Sequence, residues 1–105
     1  MRNKAINVLL DMGIPAGLRG LQIIADVMEL FEKDDVRDGK ITALYALLAK
    51  RYNTSPTSVE RNIRTAFEAL RERGNDDVVS KYLNFNSPTN SNLLHTLYWR
   101  LTMEG

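Results

Sequence analysis

Apolar residues recur along this chain at intervals of three and four, the mark of amphipathic helices rather than strands. Residues 4–12 place Ile6, Leu9 and Leu10 at helical spacing and stop at Gly13, with Pro15 just beyond. A glycine there can take the left-handed conformation that closes a helix. Over residues 18–33, Leu21, Ile24, Ala25, Met28 and Phe31 form one stripe, with Ile23, Val27 and Leu30 beside it. So wide a stripe predicts a central, largely buried helix. Residues 34–40 read as a polar turn ending at Gly39, after which Thr42 is placed to cap a third helix carrying Leu44, Leu47, Leu48 and Tyr52.

A short polar link, 53–55, precedes a fourth helix that runs from Pro56 to about Arg73 and is halted by Gly74 and Asn75. Residues 76–83 predict a short fifth helix, and Ser87-Pro88-Thr89-Asn90 opens a sixth bearing Leu93, Leu94, Leu97, Tyr98 and Leu101. No segment combines period-two alternation with hairpin turn signals. The pattern therefore predicts an all-α fold, a compact bundle of about six helices in one domain spanning 1–105, with a helix-turn-helix at about 42–73.

Composition adds exclusions. With 44% hydrophobic and 26% charged residues the chain is an ordinary folded domain, and with no cysteine it has no disulfide, thiolate zinc site or cysteine nucleophile. No apolar run approaches the ~18 residues of a membrane span, and the start is amphipathic rather than a signal peptide. A soluble cytoplasmic protein without a membrane partner is expected. The net charge of +1 says little, but its distribution says more. Residues 50–73 hold six basic residues against three acidic, whereas residues 26–38 hold six acidic against two basic.

The basic stretch is also the one with helix-turn-helix spacing. Ala49 supplies the small residue such a motif needs where its helices cross, with Leu48 and Tyr52 turned inward. Asn53 tolerates the positive φ of the turn. Ser55 is a good N-cap and Pro56 a favoured first residue, while Thr57 with Glu60 offers a competing capping box. Val59, Ile63, Ala66, Phe67 and Leu70 fall on the inward stripe, which leaves Thr57, Arg61, Arg64 and Glu68 nearly opposite. Arginines early on an outward helix face suit a DNA major groove, where Arg pairs bidentately with guanine and Thr or Ser reaches bases or phosphates. Glu60 on the flank is suited to accept from cytosine N4. Lys50, Arg51, Ser55, Ser58, Arg71 and Arg73 are candidates for contacts to the DNA backbone.

Other features carry less. His95 is the only histidine and lacks a Ser, Cys or acidic partner at telling spacing, so no catalytic site is expected. Asp34, Asp35, Asp38 and Gly39 are spaced a little like a calcium loop, but Val36 stands where a third ligand is needed and Tyr45 where the closing glutamate belongs. A solvated turn and no metal is the expectation. Gly17-Leu18-Arg19-Gly20 is too short for a phosphate loop and reads as a helix start or a point of close packing. Trp99, Tyr98, Tyr82, Phe85 and Phe31 are expected in the core, and no cofactor is implied.

Leu44-Tyr45, Ala49-Lys50-Arg51-Tyr52-Asn53-Thr54, Ser58-Val59-Glu60-Arg61-Asn62-Ile63-Arg64 and Arg73-Gly74-Asn75 together resemble the C-terminal effector domain of the stage-zero sporulation response regulator of endospore-forming bacteria. Gly13-Ile14-Pro15-Ala16, Gly20 and Pro88-Thr89-Asn90-Ser91 extend the resemblance over nearly the whole chain. It implies a six-helix transcription factor domain that binds TGTCGAA-like boxes in double-stranded DNA, with base or phosphate contacts on Thr57, Glu60, Arg61 and Arg64. It also implies head-to-tail dimers on tandem sites and a surface for the RNA polymerase sigma subunit over residues 73–80. The chain departs from the family pattern in its paired Asp76 and Asp77, its short 85–88 segment, its Pro56, and the lack of a phosphoacceptor receiver domain. The competing readings are a helical protein-interaction module that keeps the fold without reading DNA, and an RNA binder. The second lacks exposed aromatic and basic interleaving.

Overall fold

The computed structural model describes residues 1–34 and 41–104. Six helices follow one another, α1 (Arg2–Met12), α2 (Arg19–Asp34), α3 (Ile41–Arg51), α4 (Pro56–Arg73), α5 (Asp76–Tyr82) and α6 (Asn90–Met103), with no strand among the described residues. The all-α expectation holds, with six helices as the periodicity predicted. Of the turn expected over 34–40, Asp34 is the last residue of α2, and residues 35–40 lie outside the described residues, Asp35, Asp38 and Gly39 of the calcium-like run among them.

Several helix ends have a local cause. Gly13 has φ 103°, and the bonds from its N–H to Leu10 O and from Ile14 N to Leu9 O form a Schellman closure of α1. Asn53, the sole positive-φ residue other than glycine among the described residues at φ 53°, closes α3 in the same way. Its N–H reaches Lys50 O at 3.2 Å and that of Thr54 reaches Ala49 O at 2.8 Å. Ser55 then caps α4, its Oγ accepting from Ser58 N at 3.1 Å with Pro56 as the first helical residue. The competing Thr57 and Glu60 box is not used, because α4 has already begun. Ser55→Ala is expected to cost about 1 kcal/mol, which calorimetry should register as a fall of roughly 4 °C in Tm. An unchanged Tm would mean the second box had taken over.

One boundary differs from the sequence expectation, and one helix stop lies where expected but works differently. α3 begins at Ile41, so Thr42 lies within the helix instead of capping it. Gly74 ends α4 in an extended conformation, φ −72°, and its need for glycine is steric. A Cβ there would lie 2.4 Å from Leu70 O and 2.9 Å from Val79 Cγ2. Asn75 then caps α5, accepting from Asp77 N at 3.1 Å, and its own N–H donates to Met12 O at 2.8 Å, tying the end of α1 to the α4–α5 turn. Asp76 and Asp77 occupy the first turn of α5, where the helix dipole favours acidic side chains.

One core runs through all six helices. α2 is its centre, with Leu21, Ile23, Ile24, Ala25, Val27, Met28, Leu30 and Phe31 buried, as so wide a stripe predicts. Gly20, at its start, is the point of close packing. A Cβ on Gly20 would meet Asn62 O at 2.5 Å and Ala66 Cβ at 2.7 Å, so α2 and α4 touch backbone to backbone. The radius of gyration of 12.5 Å matches the about 13 Å of a compact chain this long.

Three expected core residues are surface ones. Trp99 is 53% exposed because α6 buries only the Leu93, Leu94, Leu97, Tyr98 and Leu101 side, and its ring instead meets Tyr98 edge-on at 6.0 Å. Leu47 and Leu10 likewise stand one residue off the buried stripes of α3 and α1, about 100° round each helix. Tyr98, Tyr82 and Phe31 are buried as expected, and Phe85 is half-buried.

Candidate nucleic-acid interface

α4 crosses the molecule with Val59, Ile63, Ala66, Phe67 and Leu70 buried and Thr57, Arg61, Arg64 and Glu68 exposed, the two faces that its periodicity predicts. Gly20 of α2 and helix α3 both pack against it, which leaves its outward face to solvent. The turn that delivers it, 52–55, is fixed by the Asn53 closure and the Ser55 cap described above.

Within that face the side chains already interact. Glu60 forms an ion pair with Arg64 one turn on, the acid-before-base order that suits a helix. Glu60 is half-buried, and its backbone carbonyl accepts from Asn90 Nδ2 at 3.0 Å. Asn90 opens α6 and also lies 3.4 Å from the Tyr45 hydroxyl on α3. One amide therefore joins α3, α4 and α6 behind the flank of the exposed face. Burial raises the Tyr45 pKa, and the Glu60 carboxylate raises it further.

The remaining candidates fall into two groups. Lys50, Arg51, Ser55 and Ser58 surround the start of α4. Ser55 uses its hydroxyl for the cap, and half-buried Ser58 takes a bond to its carbonyl from Asn62 Nδ2 at 2.9 Å. Arg71 and Arg73 lie in the last turn, about 15 Å of helix rise beyond Arg61. The Arg71 guanidinium sits 5.8 Å from the centroid of the Phe85 ring, beside an open groove of about 160 Å³ that Phe67, Pro88 and Leu93 help to line. A groove in DNA is only about 12 Å wide, so the two groups would meet different stretches of backbone.

Arg51 is the candidate whose surroundings the sequence did not reveal. Its Nη1 lies 3.7 Å from Asp26 Oδ2, although the residue is also exposed to solvent. Asp26, on α2, takes a 2.5 Å bond from the Tyr52 hydroxyl and a 2.8 Å bond from Arg2 Nε. Burial, together with the bond to Asp26 and its negative charge, pushes the Tyr52 pKa up to about 12. Arg2 is raised mainly by its own bond to Asp26. The Asp26 and Asn90 links join residues 26 and 30 positions apart, so no local spacing signals them. For Glu60 and Arg64, by contrast, a separation of four along a helix is itself the signal of an ion pair.

His95 is half-buried, with Nδ1 2.7 Å from Ser91 O and its ring 4.9 Å from that of Phe31. Among the described residues no cluster of His, Cys, Asp or Glu could hold a metal, and no helix is long and apolar enough to cross a membrane.

Six helices round one core, with a capped, basic-faced helix held open to solvent, define a small all-helical effector domain. Residues 5–101 match the family described as Sporulation initiation factor Spo0A C terminal, and the chain belongs to that family. It is thus a transcription-regulation domain of the DNA-binding, response-regulator effector class associated with sporulation.

Proposed function

We propose that residues 1–105 form a single effector domain that binds double-stranded DNA sequence-specifically, with α3 and α4 as a helix-turn-helix and α4 as the recognition helix in the major groove. The observation that carries this reading is the outward face of α4. Thr57, Arg61 and Arg64 stand exposed in its first three turns, opposite a fully buried stripe, in a chain of this family. Helix N-termini favour anions, and side chains early in such a helix are the ones that reach base edges.

In this reading Arg61 and Arg64 read guanines, Thr57 and Glu60 contact bases or phosphates beside them, and Lys50, Arg51, Ser55 and Ser58 grip the backbone near the start of α4. Arg71 and Arg73 reach flanking phosphates. The target is a TGTCGAA-like box, and paired boxes would seat two copies head to tail. The segment from Arg73 to Ser80, whose exposed residues are Arg73, Asn75, Asp76, Asp77 and Ser80, is the surface offered to the polymerase sigma subunit.

A mobility shift on tandem TGTCGAA boxes against scrambled duplex tests the proposal, and equal binding to both at moderate salt would sink it. Arg61→Ala is expected to weaken the box complex roughly 5- to 150-fold, equivalent to about 1–3 kcal/mol, and to relax preference at one base pair. Uniform loss on every duplex would make Arg61 a phosphate contact.

A further inference from the structure

Asp26 is the one buried charged residue among the described residues, at 4% exposure, and it lies on the apolar central helix between Ala25 and Val27. A carboxylate in that setting persists only when its oxygens are well partnered. Two partners are adjacent residues at the end of α3: Arg51, the last residue of the helix, and Tyr52, the first of the turn. The third, Arg2, brings in the start of α1. Directly after Tyr52 comes Asn53 in its left-handed conformation, and two residues further on Ser55 caps α4.

We propose that Asp26 is a positioning residue for DNA recognition: by clasping Arg51 and Tyr52 from the core, it fixes the turn that sets where α4 begins. The inference rests on the DNA-binding reading of α4. Asp26 touches no DNA itself. Its bond to the Tyr52 hydroxyl anchors the backbone one residue before the left-handed closure, so the φ of Asn53 and the Ser55 cap are reached from a fixed point. The Arg51 guanidinium carries five N–H donors; Nη1 lies 3.7 Å from Asp26, and the side chain stays 44% exposed, which leaves it room to meet a phosphate. The clasp therefore places the start of the recognition helix and a neighbouring backbone contact in one frame, and base contacts need such a frame because their geometry is narrow.

The test measures the preference for tandem TGTCGAA boxes over scrambled duplex in the full chain, at a temperature where melting curves show each variant folded. Asp26→Asn keeps the shape and removes the charge, and Tyr52→Phe removes one hydroxyl and keeps the charge. Asp26→Asn is expected to lower the preference about tenfold, the loss of one well-seated base contact. Tyr52→Phe should lower it a few-fold, and the double variant should be no worse than Asp26→Asn, because both changes break one link. Variants that melt earlier yet keep the wild-type preference would make the clasp purely structural and overturn the proposal. If Asp26→Asn does not fold, Tyr52→Phe decides alone, and an unchanged preference overturns it. A wild-type chain that shows no preference would refute the DNA reading itself, and this inference with it.

Discussion

Phe67→Ala is expected to destabilise the domain by about 3–5 kcal/mol, a large share of the 5–15 kcal/mol that holds a typical domain together. Phe67 is 2% exposed in the middle of α4, on the buried side of the helix whose other side carries Arg61 and Arg64. Truncation removes the ring's contacts and leaves a cavity that the surrounding helices close only in part. In a thermal melt the loss should appear as a drop of roughly 12–20 °C. Phe67 also lines the open groove with Phe85 and Leu93, so the gap would open beside that groove. A drop under about 4 °C would show that the groove collapses and fills it. The same variant should still prefer box DNA at low temperature, because none of the exposed face is altered.

That separation of faces is legible in the spacing of residues along the chain. Val59, Ile63, Ala66, Phe67 and Leu70 announce an inward stripe by spacing alone, and Arg61 and Arg64 are outward by the same arithmetic. Helix ends are legible where one residue type does one job: Gly13 at a positive φ, Asn53 in the turn, Ser55 before Pro56. Thr42 misleads because a hydroxyl near a helix start is a common cap, whereas α3 starts a residue earlier. Trp99, Leu47 and Leu10 mislead because periodicity marks a helix face as apolar without saying how far the neighbouring helix extends over it.

The links that hold the candidate interface in place are less visible. Asn90 joins Glu60 and Tyr45 across three helices, and Asp26 joins Arg2, Arg51 and Tyr52. Each depends on a long-range approach that no local pattern encodes. Only the setting of Asp26, an acid inside an apolar stripe, is a sequence signal, and it says that partners are required without naming them.

Gly20 shows how the packing of one helix reaches the candidate interface. Gly20→Ala should cost about 1–3 kcal/mol through overpacking, offset in part by the roughly 0.5–1 kcal/mol that alanine gains over glycine within a helix. The first steric partner is a backbone carbonyl, Asn62 O, with only 2.5 Å available, and a carbonyl held in a helix cannot rotate aside as a side chain can. α2 and α4 must move apart instead. Gly20→Val, larger and β-branched, should lie at or above the upper end of that range, near 3 kcal/mol. The cost therefore rises with size, which separates steric conflict from any effect of glycine on the unfolded chain. Ala66 belongs to the buried stripe of α4 and Asn62 borders it next to Arg61, so a displacement there shifts the helix that carries the exposed face. Gly20→Ala is expected to lower both Tm and the preference for box DNA, where Phe67→Ala lowers Tm alone. Calorimetry with a mobility shift on the same preparations checks the contrast, and a Gly20→Ala chain as stable as wild type would mean that the helices separate at no cost.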